Sequence, residues 1–115
     1  TTLSQGDWKY GNLGSHPDGR TILLDWAVPG VTPICYDIAY YLAINSRRFS
    51  EPKEAVIEAY RQELALQGVA TSGWFERQIE LALLGAFVQL GWNKADEPDE
   101  LGWWVERVLP TARTL

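Results

Sequence analysis

The chain has 115 residues, a formal net charge of −5, 46% hydrophobic residues and 22% charged residues. That length suits one domain with a modest core. The acidic balance argues against a nucleic-acid surface, which needs a basic patch to displace phosphate counterions, and favours a cationic or neutral partner.

No apolar run reaches the length of a membrane-spanning helix, so no membrane partner is expected, and no secretory leader pattern opens the chain. Cys35 is the only cysteine, so no internal disulfide can form and a reducing cytoplasm is the expected setting.

In chain order, Thr1 to Gln5 reads as a short extended lead-in to the polar loop Gly6-Asp7-Trp8-Lys9-Tyr10-Gly11-Asn12. Asn12-Leu13-Gly14 begins a brief strand, and Ser15-His16-Pro17-Asp18-Gly19 carries turn chemistry. Thr21-Ile22-Leu23-Leu24 reads as a buried strand that delivers Asp25 to its end. A hairpin of this kind places Asn12 and Asp25 at the same end, across from one another. Asp7, Asn12 and Asp25 then offer two carboxylates and an amide oxygen, a donor set that suits magnesium, with Asp7 also able to orient or deprotonate a hydroxyl. His16, the only histidine, belongs to the turn, and one histidine with one cysteine gives no basis for zinc.

Val28 to Pro33 reads as an irregular loop, and Cys35 as a small buried apolar residue. A helix is expected over Tyr36 to Arg48, with Asp37 as a first-turn acid. A second is expected over Pro52 to Gln67, with Ser50 as N-cap and Gly68 as the stop. A third, Gly73 to Trp92, capped by Thr71 or Ser72, is apolar on nearly every side and so belongs at the centre of a bundle. Asp96 to Glu100 reads as a solvated acidic linker, which could alternatively attract a cationic substrate. Leu101, Trp104, Val105, Val108 and Leu109 make the stripe of a last helix that Pro110 should end or disrupt, leaving Thr111 to Leu115 frayed. Trp74, Trp92 and Trp104 are expected to pack, and Trp26 to lie beneath the metal loop. The fold class is α+β, mainly α-helical: a short hairpin followed by about four packed helices.

The residues Gln5-Gly6-Asp7, Asn12, Asp25-Trp26 and Pro33-Ile34-Cys35-Tyr36-Asp37-Ile38-Ala39 stand in an order and spacing that resembles the aminoglycoside phosphotransferase family, the small-molecule branch of the protein-kinase-like fold. The pattern there is H-G-D-x-x-x-x-N, a hairpin, an aspartate, and then P-x-x-D-x-A. Lys9 also agrees with the D-x-K-x-x-N form of the protein-kinase catalytic loop.

The resemblance implies transfer of the γ-phosphoryl group of ATP, with Mg2+, to a hydroxyl of a small molecule. Asp7 would accept or orient the hydroxyl proton, Lys9 would offset charge on the moving group, and Asn12 and Asp25 would hold the metal. Asp37 would accept hydrogen bonds from the catalytic-loop backbone near Gly6 and Asp7. Gln5, standing where the family has histidine, would prop the loop. Residues 1–33 would form the catalytic loop, hairpin and metal loop, and residues 34–115 a helical subdomain. The kinase template also needs a Gly-rich loop and a strand lysine upstream, and only six residues precede Asp7, so the chain resembles the C-terminal lobe alone. An N-terminal nucleotide-binding lobe is therefore expected ahead of Thr1, and the isolated chain is expected to be inactive.

A non-catalytic binding or interaction module derived from such a lobe is the alternative. A metal-dependent hydrolase using Asp7 and Asp25 is a more distant one, since it lacks histidine ligands. Amino sugars, choline-like alcohols and homoserine are all acceptors of the family, and neither the acceptor nor the oligomeric state is legible in these residues.

Overall fold

The computed structural model describes residues 1–115. It is α+β and mainly helical, with two separate two-stranded antiparallel ladders and four α-helices. The first ladder pairs β1 (Thr2–Ser4) with β4 (Gly30–Thr32), in the register Thr2↔Thr32, Leu3↔Val31 and Ser4↔Gly30. The loop expected over Val28 to Pro33 therefore contains a strand. Its pattern is masked because Val31 is its only large apolar residue, and Pro29 and Pro33 bracket it.

Between these strands sits the hairpin β2 (Leu13–Ser15) and β3 (Thr21–Leu23), in the register Leu13↔Leu23 and Ser15↔Thr21. Its turn is closed by the backbone of His16 and Arg20, with the His16 and Asp18 side chains paired at 2.8 Å. The strand read as buried is not: Ile22 and Leu24 are both exposed. Apolar content alone misled here, because the hairpin packs chiefly on itself and no second layer covers it.

α1 (Tyr36–Ile44) buries Ile38, Ala39, Leu42 and Ala43 against α3, and stops four residues short of the expected Arg48. Two side chains explain the stop. Lys94 is buried, and its ammonium donates to the carbonyl of Ala43 and to Oγ of Ser46. Asn45 donates its side-chain amide to the Tyr41 carbonyl of the last turn at 3.0 Å while the same amide holds the polar loop, and residues 46–48 form a 3-10 turn instead.

α2 (Lys53–Leu66) begins after Pro52, without the side-chain cap expected from Ser50. It ends at Gly68, whose φ of +80° allows Val69 N–H to reach the Leu64 carbonyl. Ile57 is its buried anchor, and the Tyr60 hydroxyl donates to the Ile34 carbonyl at 2.8 Å.

α3 (Phe75–Leu90) contacts both α1 and α4 through Phe75, Ile79, Leu83 and Ala86. It starts two residues after Gly73 with no side-chain cap from Thr71 or Ser72. Its apolar character all round is not matched by burial all round, since Leu81 and Val88 face solvent and Trp92, just beyond it, is 76% exposed. Only α1 and α4 among the helices pack broadly on α3, so an apolar residue on its open side need not be a packed one.

α4 (Pro98–Arg113) begins earlier and ends later than the sequence implies. Its first turn takes up half of the acidic run. Glu100 pairs with Lys53 and accepts the Trp104 indole N–H at 2.7 Å, while Glu97, just ahead of the helix, pairs with Arg47. Glu97 and Glu100 are thus tethers to the α1–α2 connection and to the start of α2, while Asp96 and Asp99 are exposed as a solvated linker would have them. Pro110 lies within the helix, because the carbonyl it leaves unpaired belongs to Glu106 on the exposed face, where water can serve it. Thr111 is accordingly buried, not frayed. Trp104 is fully buried and stacks on Phe87 at 6.1 Å, and Trp74 is half-buried against the core. No helix is long and apolar enough to cross a membrane.

Candidate active site

The loop between β1 and β2 is built outward from Gly6. Its φ is +84°, and a Cβ there would stand 2.5 Å from the Val28 carbonyl oxygen, so only glycine fits. Asp37, in the first turn of α1, receives the backbone that leads into Gly6. Its carboxylate accepts Gln5 N–H at 3.1 Å, Gly6 N–H at 3.2 Å and the Ser4 hydroxyl at 2.6 Å.

Gln5 is 2% exposed, and every hydrogen bond of its side chain goes to backbone. Its Nε2 donates to the carbonyls of Leu24 and Asp25, both at 2.8 Å, while its Oε1 accepts Asp7 N–H at 2.8 Å. One amide thereby ties the polar loop to the end of β3. The backbone it holds is unusual: Asp25 has φ +55°, the only positive value among the non-glycine residues. A side chain in that region carries a conformational cost, and the two bonds from Gln5 help to offset it.

Asp7 is the convergence point. Its Oδ2 accepts from Lys9 Nζ at 2.6 Å and from Asn12 Nδ2 at 2.9 Å, and its Oδ1 accepts the Tyr40 hydroxyl at 2.9 Å. The bond from Lys9 holds the Asp7 carboxyl below its usual range, against the opposing push of burial and with help from Tyr40 and Asn12. Lys9 is raised in turn, chiefly by its bond to Asp7, with a smaller contribution from the charge of Asp25. The Tyr40 phenol is pushed up to about 12 by burial and then by its bond to Asp7.

Asn12 spends its amide nitrogen on Asp7, at the carboxylate and at the backbone carbonyl, which leaves Oδ1 as the oxygen it can offer a cation. Its own carbonyl accepts Leu24 N–H at 2.8 Å, so Asp25 follows at the same end of the hairpin. Asp25 is exposed. No group of three or more His, Cys, Asp and Glu side chains converges in the structure, so a cation here would rely on Asp25, the Asn12 amide oxygen and Asp7, together with ligands it brought itself. That is a poor set for zinc or calcium and an adequate one for magnesium carrying phosphates.

Two residues of the site escape sequence reading. Tyr40 stands one helical turn after Asp37, on the same face of α1, and this spacing is the signal that could have found it. Asn45 accepts Tyr10 N–H at 2.9 Å and donates to the Trp8 carbonyl at 3.0 Å, fixing the far half of the loop. Its signal was weaker: asparagine is a poor residue for a helix interior. Trp26 does not pack beneath the loop. It is exposed, and its indole N–H turns back to the Leu23 carbonyl at 2.9 Å. Cys35 is buried at the start of α1, and burial pushes its thiol up to about 12, which leaves it inert as a nucleophile.

A cavity of about 650 Å³ opens between α1 and α3. Tyr36, Tyr40, Trp74, Arg77, Leu81 and Gly85 contribute to its wall. Tyr40 is thus common to the cavity and to Asp7.

No protein-family model, no curated protein and no solved structure matches the chain.

Proposed function

We propose that the chain is the C-terminal lobe of a small-molecule kinase of the aminoglycoside phosphotransferase type, which transfers the γ-phosphoryl group of ATP to an alcohol hydroxyl. The observation that carries the reading is the sharing of Asp7. Gln5 accepts the backbone N–H of Asp7, and the Asp7 carboxylate accepts an ammonium at 2.6 Å and a phenol at 2.9 Å while its side chain stays 20% exposed.

Phosphoryl transfer asks for positioning and charge neutralisation more than for covalent chemistry. The acceptor oxygen attacks the γ-phosphorus as the bond from that phosphorus to the β–γ bridging oxygen breaks, and the diphosphate leaves with that electron pair. The hydroxyl proton passes to Asp7. Because Asp7 is held below its usual range, it is a weak base that orients the O–H and takes the proton only as the new O–P bond forms. Lys9 donates one N–H of its ammonium to Asp7, and the other two would serve the equatorial oxygens of the moving group. Bound magnesium would neutralise phosphate charge at this site. Asn12 Oδ1 and the Asp25 carboxylate are the groups that would hold it. Gln5 and Asp37 touch no reactant in this scheme and act by fixing the backbone of the loop.

The test is Asp7→Asn in the native polypeptide, assayed for nucleotide-dependent phosphorylation over a panel of hydroxyl compounds. The expected result is loss of transfer by about 10²-fold or more, with nucleotide affinity retained. Transfer that survives the substitution overturns the role of Asp7.

A further inference from the structure

We propose that the cavity between α1 and α3 is the acceptor pocket, and that it takes a hydroxyl compound with a flat apolar body and one anionic end. The inference rests on the reading of Asp7 given above. At about 650 Å³ the cavity has the size and the mainly apolar lining of a small-ligand site. Tyr40 forms part of its wall while donating to Asp7, so a ligand seated against the ring brings a hydroxyl within reach of that carboxylate.

The lining selects the class. Tyr36, Trp74 and Leu81 supply ring faces and aliphatic surface suited to a flat body. Arg77 is the only charged residue among those lining the cavity, and its side chain is half-exposed. Its partner Glu80 lies at 3.6 Å, too far for a hydrogen bond, which leaves the guanidinium donors for an anion. No carboxylate lines the cavity. A polycationic amino sugar would therefore set several ammonium groups against a wall whose one charge is the Arg77 guanidinium, with the tyrosine hydroxyls, Gln78, Gln89 and a single carboxylate beyond Tyr40 to meet them, too few to offset their desolvation. The net charge of −5 pointed towards a cationic partner, but that acidity lies elsewhere, much of it tied up in pairs such as Lys53 with Glu100 and Arg47 with Glu97.

Gly85 gives the means of testing this. A Cβ built there meets nothing within 4 Å, so a larger side chain would extend into the open cavity without disturbing α3. Leucine also favours the helix over glycine. The experiment is calorimetric titration of the chain with 6-hydroxy-2-naphthoate, with 2-naphthoate and with kanamycin, using the wild type, Gly85→Leu, Arg77→Gln and Asp7→Asn. The hydroxynaphthoate is expected to bind. Gly85→Leu should weaken it by about tenfold or more while the melting midpoint holds or rises. Arg77→Gln, on the exposed rim where folding is not at risk, should weaken it by about fivefold or more. 2-Naphthoate should bind less well than the hydroxy compound, and that difference should vanish in Asp7→Asn.

Hydroxynaphthoate binding that is absent, or that ignores Gly85→Leu and Arg77→Gln, overturns the pocket, and kanamycin binding that Gly85→Leu abolishes overturns its ligand class; either result leaves the role of Asp7 standing. Binding blocked by Gly85→Leu with no preference for the hydroxyl overturns the acceptor assignment, and with it the reading of Asp7.

Discussion

Tyr40 donates its hydroxyl to Oδ1 of Asp7 at 2.9 Å, from a position three residues beyond Asp37 on the same helix. One turn of α1 therefore grips the polar loop twice, Asp37 by its backbone and Tyr40 by its acidic side chain. The loop is placed by a helix whose other face is the core, through Ile38, Ala39 and Leu42.

The backbone grip is the larger contribution to stability. Asp37 accepts from two N–H groups and one hydroxyl, and hydrogen bonds to a charged acceptor contribute about 1.5–3 kcal/mol each at most. Asp37→Asn keeps the shape but replaces one acceptor oxygen by a donor, so urea unfolding should show a loss of about 2–4 kcal/mol. A change under about 0.5 kcal/mol, the scale of an ordinary surface substitution, would mean that the loop does not depend on this carboxylate.

Asp7 should titrate according to its partners. Lys9 is the largest influence holding the carboxyl low, and Tyr40 is a smaller one. Carbon-detected NMR titration should therefore show the Asp7 midpoint rising in both Lys9→Met and Tyr40→Phe, and rising further in Lys9→Met. The reverse order would show that the ammonium does not rest on Asp7 in solution.

Asp25 carries a conformational cost that glycine would not. Asp25→Gly should raise the unfolding free energy by up to about 1 kcal/mol, while removing a candidate ligand. Stability gained at the expense of cation binding is what a strained functional residue predicts. If Asp25→Gly and Asp25→Ala shift stability equally, backbone strain at this position is not the reason.

Stability should fall at alkaline pH. Tyr40, Tyr60 and Cys35 are each pushed up to about 12, with burial the first cause in every case. A group raised in the folded state stabilises fully below its unfolded pKa, and that stability is lost as pH rises through the folded value. The window therefore runs from about 9–10, the ordinary range of these groups, to about 12. Lys94 works the other way. Burial lowers its ammonium, so its cost is relieved as pH climbs towards the ordinary lysine value, and it offsets part of the loss. Urea midpoints measured from pH 8 to 11 should decline, and decline less steeply in Tyr60→Phe. A flat or rising profile would contradict the burial of these phenols.

The readings that survived concern local chemistry. The turn at His16 to Gly19 and the stop at Gly68 each depend on residues within a few positions of one another, and the sequence displays those directly; of the α4 stripe, Trp104 and Val108 are buried while Val105 and Leu109 are exposed. What it concealed depends on partners far along the chain. Asn45 looks like part of a helix until Trp8 and Tyr10 are placed beside it. The acidic run looks solvated until Arg47 and Lys53 arrive from the α1–α2 connection. Leu24 and Trp92 look like core because the residues themselves do not reveal whether a second layer exists to cover them. The spacing of Asp7 and Asn12 agrees with their hydrogen bond, and that of Asn12 and Asp25 with the Asn12–Leu24 backbone bond of the hairpin, but the agent joining the two loops, Gln5, was legible only as a departure from a pattern.

Paramagnetic relaxation tests the central claim most directly. Manganese can stand in for magnesium at an oxygen site, and broadening of amide signals reports even weak binding by position. With manganese and a non-hydrolysable ATP analogue added to the chain, broadening should centre on the amides around Asn12 and Asp25, extend to Asp7, and disappear in Asp25→Ala. Broadening centred instead on Asp96 to Glu100, or left unchanged by Asp25→Ala, would contradict a phosphotransferase metal site on this hairpin.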